Sequence, residues 1–64
     1  MACNEQQKEE LINKIMRQNE QYSRENVEKA VALCCNENDS TMEVENCAVE
    51  RARTFHIMYP PQKS

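Results

Sequence analysis

The chain has 64 residues, enough for at most one small domain, and its 11 acidic and 8 basic side chains give a net charge of −3 at pH 7. The acidic balance disfavours a nucleic-acid phosphate backbone as partner, and no run approaches the roughly 18 apolar residues of a membrane span. Glycine is absent. Because tight hairpins use glycine where φ is positive, a strand-rich fold is disfavoured and the sequence predicts an all-α unit.

The first predicted helix spans residues 5 to 21. Asn4 stands at its N-cap position, with Gln7 three residues later to complete a capping box. We expect residues 1–4 to be frayed. Four apolar residues recur at helical spacing and predict a buried stripe: Leu11, Ile12, Ile15 and Met16.

The best-formed predicted helix follows Ser23, its N-cap, and runs to Cys35. Its apolar stripe has five members at i, i+3, i+4, i+7 and i+8: Val27, Ala30, Val31, Cys34 and Cys35. The connection to the first helix has only one to three residues. Both an antiparallel hairpin and a single helix continuous through Tyr22 are therefore open.

A third helix is predicted over residues 41–56, after a loop at residues 36–39. Asn36 is expected to end the second helix in the left-handed region, and Ser40 with Glu43 forms an S-x-x-E capping box for the third. The predicted stripe contains Val44, Cys47, Ala48, Ala52 and Phe55. Pro60 and Pro61 stop any helix before them, so residues 60–64 are expected to form a tail.

The four cysteines (Cys3, Cys34, Cys35 and Cys47) are interpreted as reduced thiols. The N-terminus lacks the apolar segment of a secretory signal, so we expect a cytoplasmic protein, and cytosolic thiols stay reduced. Cys34 and Cys47 would then be small buried hydrophobes. A zinc site that includes His56 is disfavoured because adjacent cysteines on a helix point about 100° apart. We expect no metal and no cofactor.

Catalysis is not expected either. The only histidine, His56, lies near a helix end, where a cation favoured by the helix dipole or an aromatic packing residue is the better interpretation. A chain of this length leaves little room for a pocket that excludes water. The sequence therefore predicts neither an active site nor a small-molecule substrate.

A protein-interaction surface is the function that the sequence predicts best. The chain has more apolar side chains than three short helices can bury, and flexible methionines are typical of adaptable interfaces. The competing interpretation is that residues 55–59 fold back over the stripe of the second helix. The candidate interface residues are Phe55, Ile57, Met58, Tyr59, Leu33 and Val49.

We therefore predict one small three-helix domain over residues 1–64, completed by homodimerisation because so small a core is marginal alone. Its predicted role is that of a cytoplasmic regulatory factor, of the accessory type found in phages, plasmids and bacteria, that binds a larger protein. The three-helix layout, with its Ala-Val and Leu-Cys-Cys runs, resembles small ubiquitin-associated bundles. The Met-Gly-type loop of those domains is absent, so no family is assigned.

The alternative is a nucleic-acid-associated regulator that uses the third helix as its reading helix. Its candidate contacts are basic: Arg51, Arg53, Lys14, Arg17 and Arg24. Against it, residues 37–50 contain several acidic side chains and no Lys or Arg. A thiol or metal protein is a third, weaker hypothesis.

Overall fold

The structure is a computed structural model that describes residues 3–60, and it folds them into three helices. Helix α1 spans Glu5–Gln18, α2 spans Arg24–Glu37 and α3 spans Thr41–Met58. No strand occurs within residues 3–60, so the predicted all-α class is confirmed. Over the same residues, no helix combines the length and the apolar character that crossing a membrane requires.

Helices α1 and α2 are separate, and the hypothesis of one continuous helix is wrong. The backbone N–H and the side-chain amide of Asn19 both donate to the carbonyl oxygen of Ile15, at 2.9 and 3.1 Å. The N–H of Tyr22 then donates to the carbonyl of Asn19 at 3.0 Å, which closes a turn between the helices. Because an asparagine amide competes for the last free carbonyls, α1 ends three residues before the predicted end at residue 21.

Two of the three predicted N-caps form. The side chain of Asn4 accepts from the N–H of Gln7 at 2.8 Å, and Gln7 accepts in return from the N–H of Asn4 at 3.1 Å. The Ser23 hydroxyl accepts from the backbone N–H of Asn26 at 3.2 Å. The capping box predicted for Ser40 is wrong, since its side chain makes no cap hydrogen bond and only its backbone carbonyl closes the first turn of α3.

The end of α2 also differs from the prediction. The helix continues past Cys35 to Glu37, and the backbone and side-chain amides of Asn38 donate to the carbonyl of Cys34 at 3.1 and 3.0 Å. No residue from 3 to 60 has a positive φ, so the left-handed cap predicted at Asn36 is wrong. In this part of a glycine-free chain, two helices end instead on asparagine amides that reach back one turn.

The core lies on both sides of α2, which packs against α1 and, more extensively, against α3. Small side chains at the contact let the helix axes approach closely. The three predicted stripes are confirmed by their buried members: Ile12 and Ile15 on α1, Val27, Ala30, Val31, Cys34 and Cys35 on α2, and Val44, Ala48 and Ala52 on α3.

Two disulfides fasten α2 to the rest of the chain. Cys35 is bonded to Cys3 and Cys34 to Cys47, with Cα–Cα distances of 5.7 and 5.8 Å, and no cysteine of residues 3–60 is free. The prediction of reduced thiols is therefore wrong. The divergence of neighbouring cysteines on a helix, which disfavoured a zinc site in the sequence, is present. The divergence places one sulfur against α3 and the other against the segment before α1.

The N-terminal segment is consequently more ordered than expected. Cys3 is held by its disulfide and Asn4 by its capping box, so the expected fraying does not extend to these two residues. Residues 1 and 2, and residues 61–64 of the predicted tail, lie outside the described part of the chain.

A buried asparagine of α2 holds the C-terminus of α3. The side-chain amide of Asn26 donates to the carbonyl of Tyr59 at 2.8 Å and lies 3.5 Å from the carbonyl of Phe55. The last carbonyls of a helix have no partner within the helix. Asn26 therefore acts as a cap supplied by a neighbouring helix, and it fixes where α3 ends on α2.

We expect Asn26→Ala to lower the free energy of unfolding by about 1 kcal/mol, because the hydrogen bond from this buried side chain to the Tyr59 carbonyl is lost. Urea unfolding followed by far-UV circular dichroism measures the change. Asn46→Ala is the matched control, since Asn46 is exposed on α3, and its effect should stay within about 0.5 kcal/mol. Equal effects of the two substitutions would contradict this role for Asn26.

We expect the double variant Cys34→Ala, Cys47→Ala to lose about 3 kcal/mol of unfolding free energy, because the disulfide closes a short loop in the unfolded chain. Unfolding in denaturant without reductant measures this loss. In excess reductant, the variant and the unaltered chain should have nearly the same stability. If the two already agree without reductant, the disulfide does not form.

A candidate protein-interaction surface at the end of the third helix

The last turn of α3 carries a concentration of exposed apolar side chains. Ile57, Met58 and Tyr59 are 71%, 57% and 58% exposed. α3 continues two residues beyond the predicted end at residue 56, and the N–H of Tyr59 donates to the carbonyl of Phe55 at 2.6 Å. Within residues 55–59, Phe55 packs against the core and His56 is half-buried against Tyr22, so the expected fold-back over α2 does not extend to the apolar side chains of residues 57–59.

The apolar residues of α3 lie on different faces of the helix. Phe55 and Met58, three residues apart, line a shallow groove of about 540 Å³ along α3. Each residue of a helix turns by about 100°, so Ile57 lies about 160° around the helix from Phe55. Residues that are adjacent in sequence are therefore separated in space, and Ile57 lies outside the groove.

Helical spacing places Leu33 on the edge of α2 that faces α3. Leu33 lies seven residues after Asn26 and four before Glu37, on one face of α2. Asn26 and Glu37 both contact α3, so Leu33 borders the line along which α2 and α3 meet. Leu33 is also one of the exposed large apolar residues.

We call this area the seam surface and define it by four side chains: Leu33, Phe55, Met58 and Tyr59. The ring of Tyr59 lies near that of Phe55, with centroids 6.1 Å apart. Phe55 anchors the set because it also packs against the core. The seam surface is therefore an apolar area with a half-buried aromatic residue beneath it, an arrangement typical of the centre of protein interfaces.

An ion pair and a disulfide join α2 to α3 beside the groove. Arg51 donates to Glu37 across the seam at 2.8 Å, and the Cys47 sulfur lies 4.0 Å from the same carboxylate oxygen. Together with the disulfide between Cys34 and Cys47, this ion pair holds α2 and α3 in register beneath the apolar rim. The shape of the surface is thus fixed by contacts that a partner need not supply.

The two other predicted interface residues are placed elsewhere. Val49 is half-buried and packs against the core. Ile57 lies on a different face of α3 from the seam. Met42, which is 75% exposed, is not among the predicted interface residues. Its position near the start of α3 keeps it away from the seam surface.

A metal site does not form from the donors that the structure brings together. The potential ligand atoms of Cys34, Glu37 and Cys47 lie within 4.8 Å of one another. The two sulfurs are bonded to each other, however, and are not thiolates, which are the form in which cysteine binds zinc. His56 stands apart from this group. It packs on Tyr22 with ring centroids 4.9 Å apart, which fits the aromatic-packing interpretation.

Three of the five basic residues proposed to contact nucleic acid form ion pairs with carboxylates. The ion pairs are Lys14 with Glu45, Arg24 with Glu9 and Glu28, and Arg51 with Glu37. Hydrogen bonds to Glu9 and then Glu28 raise the pKa of Arg24. Within residues 3–60, Arg17 and Arg53 form no ion pair and are exposed, but they lie on different helices. No concentrated basic surface results.

Comparison with known proteins adds no further residues to the seam surface. No family model matches the chain, and neither a curated protein nor a solved structure is significantly similar to it. The surface is therefore interpreted from its own side chains.

Proposed function

We propose that this protein is a small regulatory interaction module and that the seam surface is where it binds another protein chain. The observation that carries the proposal is a set of large apolar side chains, Phe55, Met58 and Tyr59, that stay partly or largely exposed at the end of α3, with exposed Leu33 on the neighbouring helix. Burying such a side chain is favourable by roughly 1.5–3 kcal/mol, so binding a partner that covers these residues would be stabilising. Aromatic residues and methionine are also the types enriched at interface centres.

The partner that we propose first is a second copy of the same chain. A core built largely from valine, alanine and cysteine is thin for a domain of this size, and association is a common way to complete it. In a twofold pairing, the seam surface of one copy would pack against the seam surface of the other. Both apolar surfaces would then be covered at once. The polar faces of α1 would remain outside the contact.

The disulfides bear on where this interaction takes place. Paired cysteines are typical of secreted proteins and oxidising compartments, and they are rare in the cytosol. The proposal therefore places the protein in an oxidising environment, in place of the cytoplasmic location predicted from the sequence. An accessory factor of phage, plasmid or bacterial type remains a prediction. No contact favours the nucleic-acid alternative, and it is not proposed.

We expect the unaltered chain, free of reductant, to sediment with a mass near twice its 7.5 kDa at high concentration and to dissociate on dilution. Met58→Asp should remain monomeric over the same concentrations, because a carboxylate in the contact would lose its hydration. Analytical ultracentrifugation measures the mass, and circular dichroism establishes that the helices are retained.

Met42→Asp is the matched control. Met42 is more exposed than Met58 and lies near the opposite end of the same helix, outside the seam surface. This variant should associate as the unaltered chain does. A monomeric unaltered chain, or a Met58→Asp variant that still associates, would overturn the second copy as the partner at this surface.

A further inference from the structure

The disulfide between Cys3 and Cys35 lies in a hollow of its own. The hollow has a volume of about 290 Å³ and opens where the start of α1 meets the end of α2. Both bonded cysteines line it, and the rest of its wall is polar: Asn4, Glu5, Lys8 and Asn36. A small molecule that enters the hollow therefore reaches the disulfide chiefly at Cys3, because Cys35 is only 7% exposed.

The disulfide between Cys34 and Cys47 has a different setting. Cys34 is fully buried, and only Cys47 lines a groove. The carboxylate of Glu37 is 4.0 Å from the Cys47 sulfur and is paired with Arg51, which lines the same groove as Glu50. The attacking species in thiol–disulfide exchange is a thiolate, and the two carboxylates, offset by one cation, leave a net negative charge that slows its approach to this groove. At the other disulfide, Glu5 is balanced by Lys8.

We propose that the Cys3–Cys35 disulfide is a redox-modification site, which a small thiol such as glutathione opens before the Cys34–Cys47 disulfide. Access and charge both favour this order: both cysteines of the first disulfide line the hollow, whereas Cys34 is fully buried, and the hollow has one cation for its one anion. Rates of exchange depend on which sulfur can be reached and on the local charge.

The chemistry needs two equivalents of thiol. The first thiolate attacks the Cys3 sulfur, the disulfide breaks, and Cys35 leaves as a thiolate that takes up a proton. This step leaves a mixed disulfide on Cys3. A second thiolate attacks the sulfur of the attached thiol, which releases Cys3 as a thiolate and forms the oxidised thiol. Two electrons thus pass from two thiols to the two cysteines.

Opening this disulfide loosens α1 selectively. Helix α1 contacts the rest of the fold through the buried Ile12 and Ile15. It also forms two ion pairs, Lys14 with Glu45 and Glu9 with Arg24. Exposed ion pairs contribute only about 0–1 kcal/mol each. The α2–α3 pair keeps its own disulfide, the Asn26 cap and the ion pair between Glu37 and Arg51. The modification site therefore controls how firmly α1 is held.

The order of opening is tested on the full chain with glutathione as the reductant. Samples are alkylated at intervals, and tandem mass spectrometry identifies the labelled cysteines. We expect Cys3 and Cys35 to be labelled about tenfold faster than Cys34 and Cys47, with a glutathione adduct on Cys3 at early times. Equal rates, or earlier opening of the Cys34–Cys47 disulfide, would overturn the proposal.

The structural consequence is tested by hydrogen exchange on the double variant Cys3→Ser, Cys35→Ser. We expect amides of α1 to exchange about tenfold faster or more, while those of α2 and α3 keep their protection. The variant Cys34→Ser, Cys47→Ser is the comparison, and there the loss of protection should include α3. Unchanged protection of α1, or loss of protection throughout the first variant, would overturn selective loosening.

Discussion

Two adjacent side chains on an α-helix point about 100° apart, and this angle is the constraint around which the present fold is built. Because Cys34 and Cys35 cannot face the same way, α2 is bonded to α3 on one side and to the segment before α1 on the other. Both neighbours of α2 are thus fixed by covalent bonds. The small residues between the helices need only fill the remaining space.

The two disulfides compensate in part for so small a core. The buried residues of α3 are one valine and two alanines, which bury little area compared with leucine or phenylalanine. Two closed loops reduce the entropy of the unfolded chain and offset that deficit. Further stabilisation comes from side-chain amides that cap helix ends, those of Asn19, Asn26 and Asn38. The larger apolar side chains are then left for the surface.

The helices and their buried faces could be predicted from the sequence because helical periodicity is a local signal. The cysteine pairing could not, since it joins residues 13 and 32 positions apart and depends on the tertiary fold. An even number of cysteines in a short chain with a thin core was the available signal. Four of the six predicted interface residues belong to the proposed seam surface. Ile57 does not belong to this surface, because residues two apart on a helix lie on nearly opposite sides of it and Ile57 is two residues after Phe55.

The most direct test of this account is the disulfide pattern of the chain folded in a glutathione redox buffer. Digestion without reductant after Lys and Glu places Cys3, the Cys34–Cys35 pair and Cys47 on separate peptides, which two disulfides join into one species. Fragmentation between Cys34 and Cys35 then assigns each bond. The account predicts Cys3–Cys35 and Cys34–Cys47. Free thiols, or the exchanged pairs Cys3–Cys34 and Cys35–Cys47, would contradict it.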